Sequence, residues 1–127
     1  MSKKLKVCLI DNVMPEIEVK LFHDEKKYLK ALDKQKVVVY LTKSAAEVCT
    51  TEIKDGSIVS FVLIRDLECI YEQQLALLCH EAVHIAQDYF ERIGEDKPAM
   101  EEQAYVIQSI FQCLAIEHRK FIDKVSK

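Results

Sequence analysis

The chain is poor in the residues that interrupt regular structure, since its 127 residues include only two glycines and two prolines. That scarcity excludes long unstructured linkers and low-complexity segments. The sequence has no internal repeat, and no apolar run approaches the length of a membrane-spanning helix. Half of the residues are hydrophobic, which is enough to form one buried core. We therefore expect a single domain spanning residues 1–127.

Signals for secretion and for nucleic-acid binding are also missing from the sequence. The apolar run that follows the N-terminal lysines is interrupted by Asp11, so we expect no signal peptide. The net charge is −3, and no basic stripe interleaved with aromatic residues is present. These features predict a cytoplasmic protein that binds neither nucleic acid nor a membrane.

Five cysteines are spread along the chain, in an odd number and without a C-x-x-C pair. Most of them lie within apolar segments, as small core residues do. We interpret them as reduced thiols rather than as a disulfide framework. They are Cys8, Cys49, Cys69, Cys79 and Cys113.

The first half of the chain predicts β-strands around one helix. Asp24 is placed to cap a helix that runs to about Asp33. The dipeptide Asp55-Gly56 stands between two apolar runs and predicts a β-hairpin. Alternating or β-branched runs predict five strands. These are 5–10, 16–22, 37–41, 47–53 and Ile58–Ile64.

The second half predicts two long helices. Residues 70–93 contain no glycine or proline, and their apolar residues recur at helical spacing. Gly94 is placed to end this helix, and Pro98 to open another that runs to about Asp123. Strands followed by two helices predict an α+β fold, with a small mixed or antiparallel sheet and a backing helix.

One motif on the first of these helices carries metal chemistry, namely His80-Glu81-Ala82-Val83-His84. Residues four apart lie on the same helical face, so both imidazoles can reach one zinc ion. Glu81 is one step around the helix, where its carboxylate can take a proton from a metal-bound water. The alternative interpretation is two histidines hydrogen-bonded within a polar network.

A catalytic zinc usually has a third protein ligand, for which the next helix offers two carboxylates. Glu101 lies nearer than Glu102 to the predicted buried stripe through Ala104 and Ile107. Either carboxylate could instead be a first-turn residue favoured by the helix dipole. The residues themselves leave both candidates open.

Residues 77–111, about a quarter of the chain, resemble the gluzincin type of zincin metallopeptidases. Those enzymes pair H-E-x-x-H on one helix with a glutamate on the following helix. The segment 94–98, followed by Glu101-x-x-Ala104-Tyr105, is similar to small phage- and prophage-encoded zincin-like proteins. Their pattern is G-E-D-x-P and then E-x-x-A-Y. Ala99 departs from it, because a glycine is expected after the proline.

The resemblance implies a zinc site and a substrate class. The Zn²⁺ ligands would be His80, His84 and Glu101, with Glu102 as the alternative third ligand. Glu81 would be the general base, and the substrate a peptide or protein. The resemblance also implies that an edge strand of the sheet lies along the cleft, for which we expect Ile58–Ile64.

A hydrolase also needs a group that stabilises the developing oxyanion. Tyr105 lies one turn after Glu101 and is the candidate, although packing is the commoner role of such an aromatic. Tyr89 and His23 are further possibilities. We expect His118 to be exposed and without a role.

The sequence therefore predicts a small zinc-dependent metallopeptidase. One alternative is a catalytically silent protein of the zincin fold that acts as a binding or regulatory module. Another is a structural zinc site, which would need a fourth protein ligand. Cys79 is a poor fourth ligand because it points about 100° away from His80 around the helix.

Overall fold

The computed structural model describes residues 4–6, 17–38, 43–53, 56–95 and 97–126. These residues form a mixed sheet and three helices, with strands preceding two long helices, so the predicted α+β class is confirmed. The strands are β1 (Lys4–Lys6), β2 (Glu18–Phe22), β3 (Ala46–Glu52) and β4 (Ile58–Ile64). The helices are α1 (Glu25–Lys34), α2 (Tyr71–Arg92) and α3 (Met100–Val125).

The sheet has the strand order β1-β2-β4-β3. β2 and β4 are parallel, whereas the other two pairs are antiparallel. The expectation that Ile58–Ile64 is the edge strand is therefore wrong, because this strand, β4, has a neighbour on each side. Its six residues from Val59 onward are buried, as an interior strand covered on both faces requires. Among the described strands, β3 forms the edge on this side of the sheet.

Other strand predictions are met in part. The predicted hairpin is confirmed by the antiparallel pairing of β3 with β4, and Gly56 adopts a φ of +89° in the turn. Of the predicted strand 37–41, Val37 and Val38 lie in no strand, and Val38 is 82% exposed. Residues 39–41 of that strand lie outside the described residues, as do residues 7–10 of the first predicted strand and Cys8.

Helices cover both faces of the sheet. On one face, Tyr28 and Leu32 of α1 pack against Phe61 and Leu63 of β4. On the other face, α2 and α3 pack against the side chains of alternate strand residues such as Val62. No described helix has the length and apolar character needed to cross a membrane. The four cysteines within the described ranges form no disulfide.

The ends of the helices follow local signals in the sequence. Asp24 caps α1 by accepting a hydrogen bond from the backbone N–H of Lys26 at 3.1 Å. Gly94 ends α2 with a φ of +77°, a left-handed conformation that glycine adopts without strain. The N–H groups of Gly94 and Glu95 donate to the carbonyls of Glu91 and Phe90, which is the Schellman arrangement. The predicted cap at Gly94 is confirmed.

His118 is fully buried between the helices, so the expectation that it is exposed is wrong. It lies four residues after Leu114 and therefore on the buried stripe of α3. Its Nε2 is 2.7 Å from Oε1 of Gln74 on α2, and its Nδ1 is 2.9 Å from Nε2 of His23. We call His23, Gln74 and His118 the buried polar network.

The hydrogen bonds of this network determine the ring tautomers. The Gln74 amide nitrogen donates to the carbonyls of Leu67 and Cys69, so its oxygen must accept. His118 therefore donates from Nε2, and its neutral Nδ1 accepts from the Nε2–H of His23. The network thus links the end of β2 to α3 and to the beginning of α2.

Acidification should destabilise the fold through this network. Burial, with the nearby His118, lowers the pKa of His23 from 6.5 to about 4. Because the folded state holds the lower pKa, the unfolded chain takes up the proton first, and stability is lost as the pH falls from 6.5 to about 4. Urea unfolding of metal-free protein in chelator should show this loss.

A phenylalanine at position 23 provides the control. His23 stacks on Phe121 with ring centroids 3.7 Å apart, and phenylalanine keeps that contact but cannot titrate. We expect His23→Phe to be less stable at neutral pH, because Nδ1 of His118 loses the hydrogen bond donated by His23. We also expect its free energy of unfolding to vary less with pH between 6.5 and 4. An equal pH dependence in both proteins would contradict the role of His23.

Candidate metal centre

The motif predicted for metal binding lies in the middle of α2. Its apolar residue Ala82 is buried together with Leu78 and Ile85 against the sheet and α3. His80 and His84 lie on the opposite, exposed face of the same helix. The helical repeat that buries one side of α2 therefore presents both imidazoles to solvent.

The two imidazoles are placed as a pair of metal ligands would be. Nε2 of His80 lies 3.1 Å from Nε2 of His84, and the rings are inclined at 76° to each other. Two nitrogens bound to one tetrahedral zinc at ordinary bond lengths lie about 3.3 Å apart. The same separation satisfies a hydrogen bond between neutral imidazoles. Both rings are exposed, and their contact is also the one expected from the alternative interpretation of two hydrogen-bonded histidines.

Glu81 lies beside the histidine pair and is only 5% exposed. Burial raises the pKa of its carboxyl group, His80 and His84 oppose that rise, and Glu47 adds to it. Desolvation of a carboxylate disfavours its charged form and makes it a better proton acceptor. The side chain thus combines burial beside two imidazoles with a raised pKa, as a proton acceptor requires.

Glu47, on β3, is a charged neighbour of this site that the sequence interpretation did not single out. Its Oε2 accepts a hydrogen bond from the Tyr28 hydroxyl at 3.0 Å, and its Oε1 lies 2.6 Å from Nη2 of Arg65. Arg65 also pairs with Glu25 on α1 at 2.9 Å. These contacts hold the Glu47 carboxylate within an ion-pair cluster. The signal in the sequence is a lone arginine directly after the apolar strand β4.

The predicted third ligand, Glu101, is exposed in the first turn of α3. The Gln74–His118 hydrogen bond places Gln74 of α2 beside His118 of α3, and the short connection between the two helices makes them antiparallel. Glu91 lies seventeen residues after Gln74 on α2, and Glu101 lies seventeen residues before His118 on α3. Helical geometry therefore puts Glu101 level with Glu91. Because Glu91 is seven residues past His84, the offset between Glu101 and His84 is about 10 Å along the axis of α2.

The buried stripe of α3 differs from the predicted one. Ala104 is exposed, and the buried positions include Val106, Ile110 and Leu114. The sequence argument that placed Glu101 nearer to the core is therefore wrong. Glu102 is the more buried of the two carboxylates. Burial raises the pKa of Tyr89 on α2, and the charge of Glu102 adds to that rise.

The structure thus brings together three of the predicted site residues and leaves the others apart. His80, Glu81 and His84 adjoin one another on α2. Tyr105 is 46% exposed and lies one turn after Glu101, on the same side of α3. Within the described parts of the chain, no group of three His, Cys, Asp or Glu side chains is close enough to hold a metal ion.

Comparison with protein-family models, with curated proteins and with solved structures found no match for this chain. The interpretation of the site therefore depends on the chemistry and geometry of its own residues. Those residues provide two adjacent nitrogen donors and a buried carboxylate on one helix.

Proposed function

We propose that this protein is a small zinc-dependent metallopeptidase with a zincin-like arrangement. The observation that carries the proposal is the 3.1 Å separation of the His80 and His84 Nε2 atoms, with Glu81 buried beside them. Two imidazoles one turn apart and an adjacent carboxylate are the donor set of H-E-x-x-H hydrolases.

Each residue has a distinct role in this proposal. His80 and His84 hold the zinc ion, and the resemblance to gluzincins assigns the third position to Glu101, with Glu102 as the alternative. Zinc, when bound, supplies Lewis acidity toward the substrate carbonyl and toward water. Glu81 accepts a proton from the attacking water and delivers it to the leaving amine. Tyr105 is the proposed oxyanion donor.

The proposed substrate is an extended peptide that pairs with the outer edge of β3, which no other described strand contacts. The N–H of Ile53 donates to the carbonyl of Ser57, and the N–H of Arg65 donates to the carbonyl of Ala45. Odd-numbered residues of β3 therefore direct their backbone N–H and C=O groups toward β4. Even-numbered residues, including Val48 and Thr50, therefore direct their N–H and C=O groups outward. A peptide adding there would make main-chain hydrogen bonds beside α2.

Metal analysis provides the test of the zinc site. The purified protein should bind one zinc ion per chain, and His80→Ala should weaken zinc binding by at least about 100-fold, because a lost ligand costs more than an outer-shell contact. Gln73→Ala, at an exposed position on the same helix, is the control that should leave zinc unchanged. Unchanged zinc binding in His80→Ala would refute the site.

The same titration distinguishes the two carboxylates. If Glu101 is the third ligand, Glu101→Gln lowers zinc affinity and Glu102→Gln does not. The opposite pattern assigns the third position to Glu102. If neither variant loses zinc affinity, the zinc site has no carboxylate ligand on the first turn of α3.

A second candidate function is a zinc-binding module that regulates or binds another protein without catalysis. The observation that favours it is the exposure of Glu101, together with the Gln74–His118 contact, from which helical geometry puts Glu101 about 10 Å past His84 along the axis of α2. In that case the protein binds zinc but cleaves no peptide, and Glu81→Gln leaves its biological activity intact.

A further inference from the structure

The outer edge of β3, which pairs with no other described strand, carries a side-chain contact from α2. Nη2 of Arg92 donates to the backbone carbonyl of Thr50 at 3.4 Å, and Nε of the same arginine lies 2.6 Å from Oδ2 of Asp88. The Thr50 carbonyl points outward from the sheet, as the pairing of β3 with β4 requires. Arg92 therefore occupies one of the hydrogen-bonding positions that an added strand would use.

Behind this contact lies a cavity of about 210 Å³ between α2 and the sheet. Its charged groups, Asp88 and Arg92, neutralise each other in the ion pair. Two of its hydroxyls, from Thr50 and Ser60, lie 2.6 Å apart, so that one donates a hydrogen bond to the other. The rest of the wall consists of the aliphatic side chains of Ile17, Ile58, Ile85 and Ile93, together with Tyr89. Such a cavity suits an uncharged, aliphatic group.

The position of the cavity matches one residue of an added strand. Residues directly opposite each other in a β-ladder direct their side chains to the same face of the sheet. The Thr50 side chain lines the cavity, so the side chain of a residue paired opposite Thr50 projects from the same face of the sheet, on which the cavity lies. Asp88, at the cavity, lies one helical turn after His84, which places the cavity next to the proposed zinc site.

We propose that this cavity is a subsite for an aliphatic side chain of the bound peptide, and that Arg92 must leave the Thr50 carbonyl to admit it. The inference takes the peptide from the proposed function, but it concerns binding rather than cleavage. The substrate class is thereby narrowed to peptides with a leucine-like residue at the position opposite Thr50. Peptides with an acidic residue there are excluded, because a carboxylate would lose its hydration in a mainly apolar cavity whose arginine is already paired with Asp88.

Peptide binding to the zinc-loaded Glu81→Gln protein tests the subsite. The probes are fluorescein-labelled octapeptides of alanine and serine in which one position in turn carries leucine, alanine or aspartate. At one position, leucine should lower the Kd about tenfold relative to alanine, as expected when an aliphatic side chain is buried. Aspartate at that position should weaken binding below the alanine peptide.

Substitutions in the same background assign the effect to the cavity. Ile58→Phe fills the cavity and should remove the leucine preference, and so should Ile93→Phe at its partly exposed rim. Arg92→Ala should strengthen binding of the leucine peptide severalfold, because no side chain then competes for the Thr50 carbonyl. The matched control is Arg119→Ala, which breaks an exposed i,i+4 ion pair with Asp123 on α3 and should change nothing.

The outcomes separate this inference from the proposed function. A leucine preference that persists in both cavity-filling variants, or that no position shows, overturns the subsite. Leucine-dependent binding without cleavage by the native protein contradicts the peptidase and supports the subsite. Cleavage by the native protein without any leucine dependence of binding supports the peptidase and contradicts the subsite. Thermal unfolding of each variant shows whether it is folded under the conditions of the binding assay.

Discussion

Replacing Glu81 with glutamine is expected to lower the rate of peptide cleavage by about 10²- to 10⁴-fold while zinc remains bound. Glutamine keeps the size of the side chain at this buried position but cannot accept a proton. The histidine nitrogens on the exposed face of α2 are unchanged by the substitution. The measurement is kcat on a cleavable peptide together with zinc content of the same preparation.

Glu91→Gln supplies the matched control for this prediction. Glu91 is exposed on the same helix, ten residues further along, and the same amide substitution there should leave both kcat and zinc content unaltered. Cleavage that survives in Glu81→Gln would show that another group accepts the proton. Loss of zinc together with activity would instead show that Glu81 is needed to hold the metal site.

The parts of this fold that were predictable depend on residues close together in the chain. The predicted helix 70–93 agrees with α2 to within one residue at each end. Its apolar spacing and Gly94 are local signals, and they determine where the helix begins and ends. The adjacency of His80 and His84 follows from the same helical repeat. The spacing of the motif was therefore sufficient to predict the pairing of these two side chains.

Features that depend on distant contacts were harder to predict. β4 was expected at the edge, but the order of strands in a sheet depends on long-range pairing. Its nearly continuous apolar run was the available sign of an interior strand. The position of Glu101 relative to His84 likewise depends on how α2 and α3 are aligned. That alignment includes the Gln74–His118 contact, which spacing along one helix does not reveal.

His118→Leu is expected to lower the free energy of unfolding by about 3 kcal/mol, because it leaves buried polar partners without hydrogen bonds. Gln74 is 4% exposed, and its Oε1 would lose the Nε2–H of His118. His23 would lose the acceptor for its own Nε2–H. Urea unfolding at pH 7 measures the change, and Gln112→Leu at an exposed position of α3 should be nearly neutral.

A double substitution distinguishes lost hydrogen bonding from altered packing. When both partners of a buried hydrogen bond become apolar, neither is left unsatisfied, so the combined cost is smaller than the sum of the two single costs. Gln74→Leu with His118→Leu should therefore be less destabilising than the single variants added together. Strict additivity would mean that His118 stabilises the α2–α3 pair through its volume alone. Non-additivity would establish that the hydrogen bond between Gln74 and His118 itself stabilises the contact between α2 and α3.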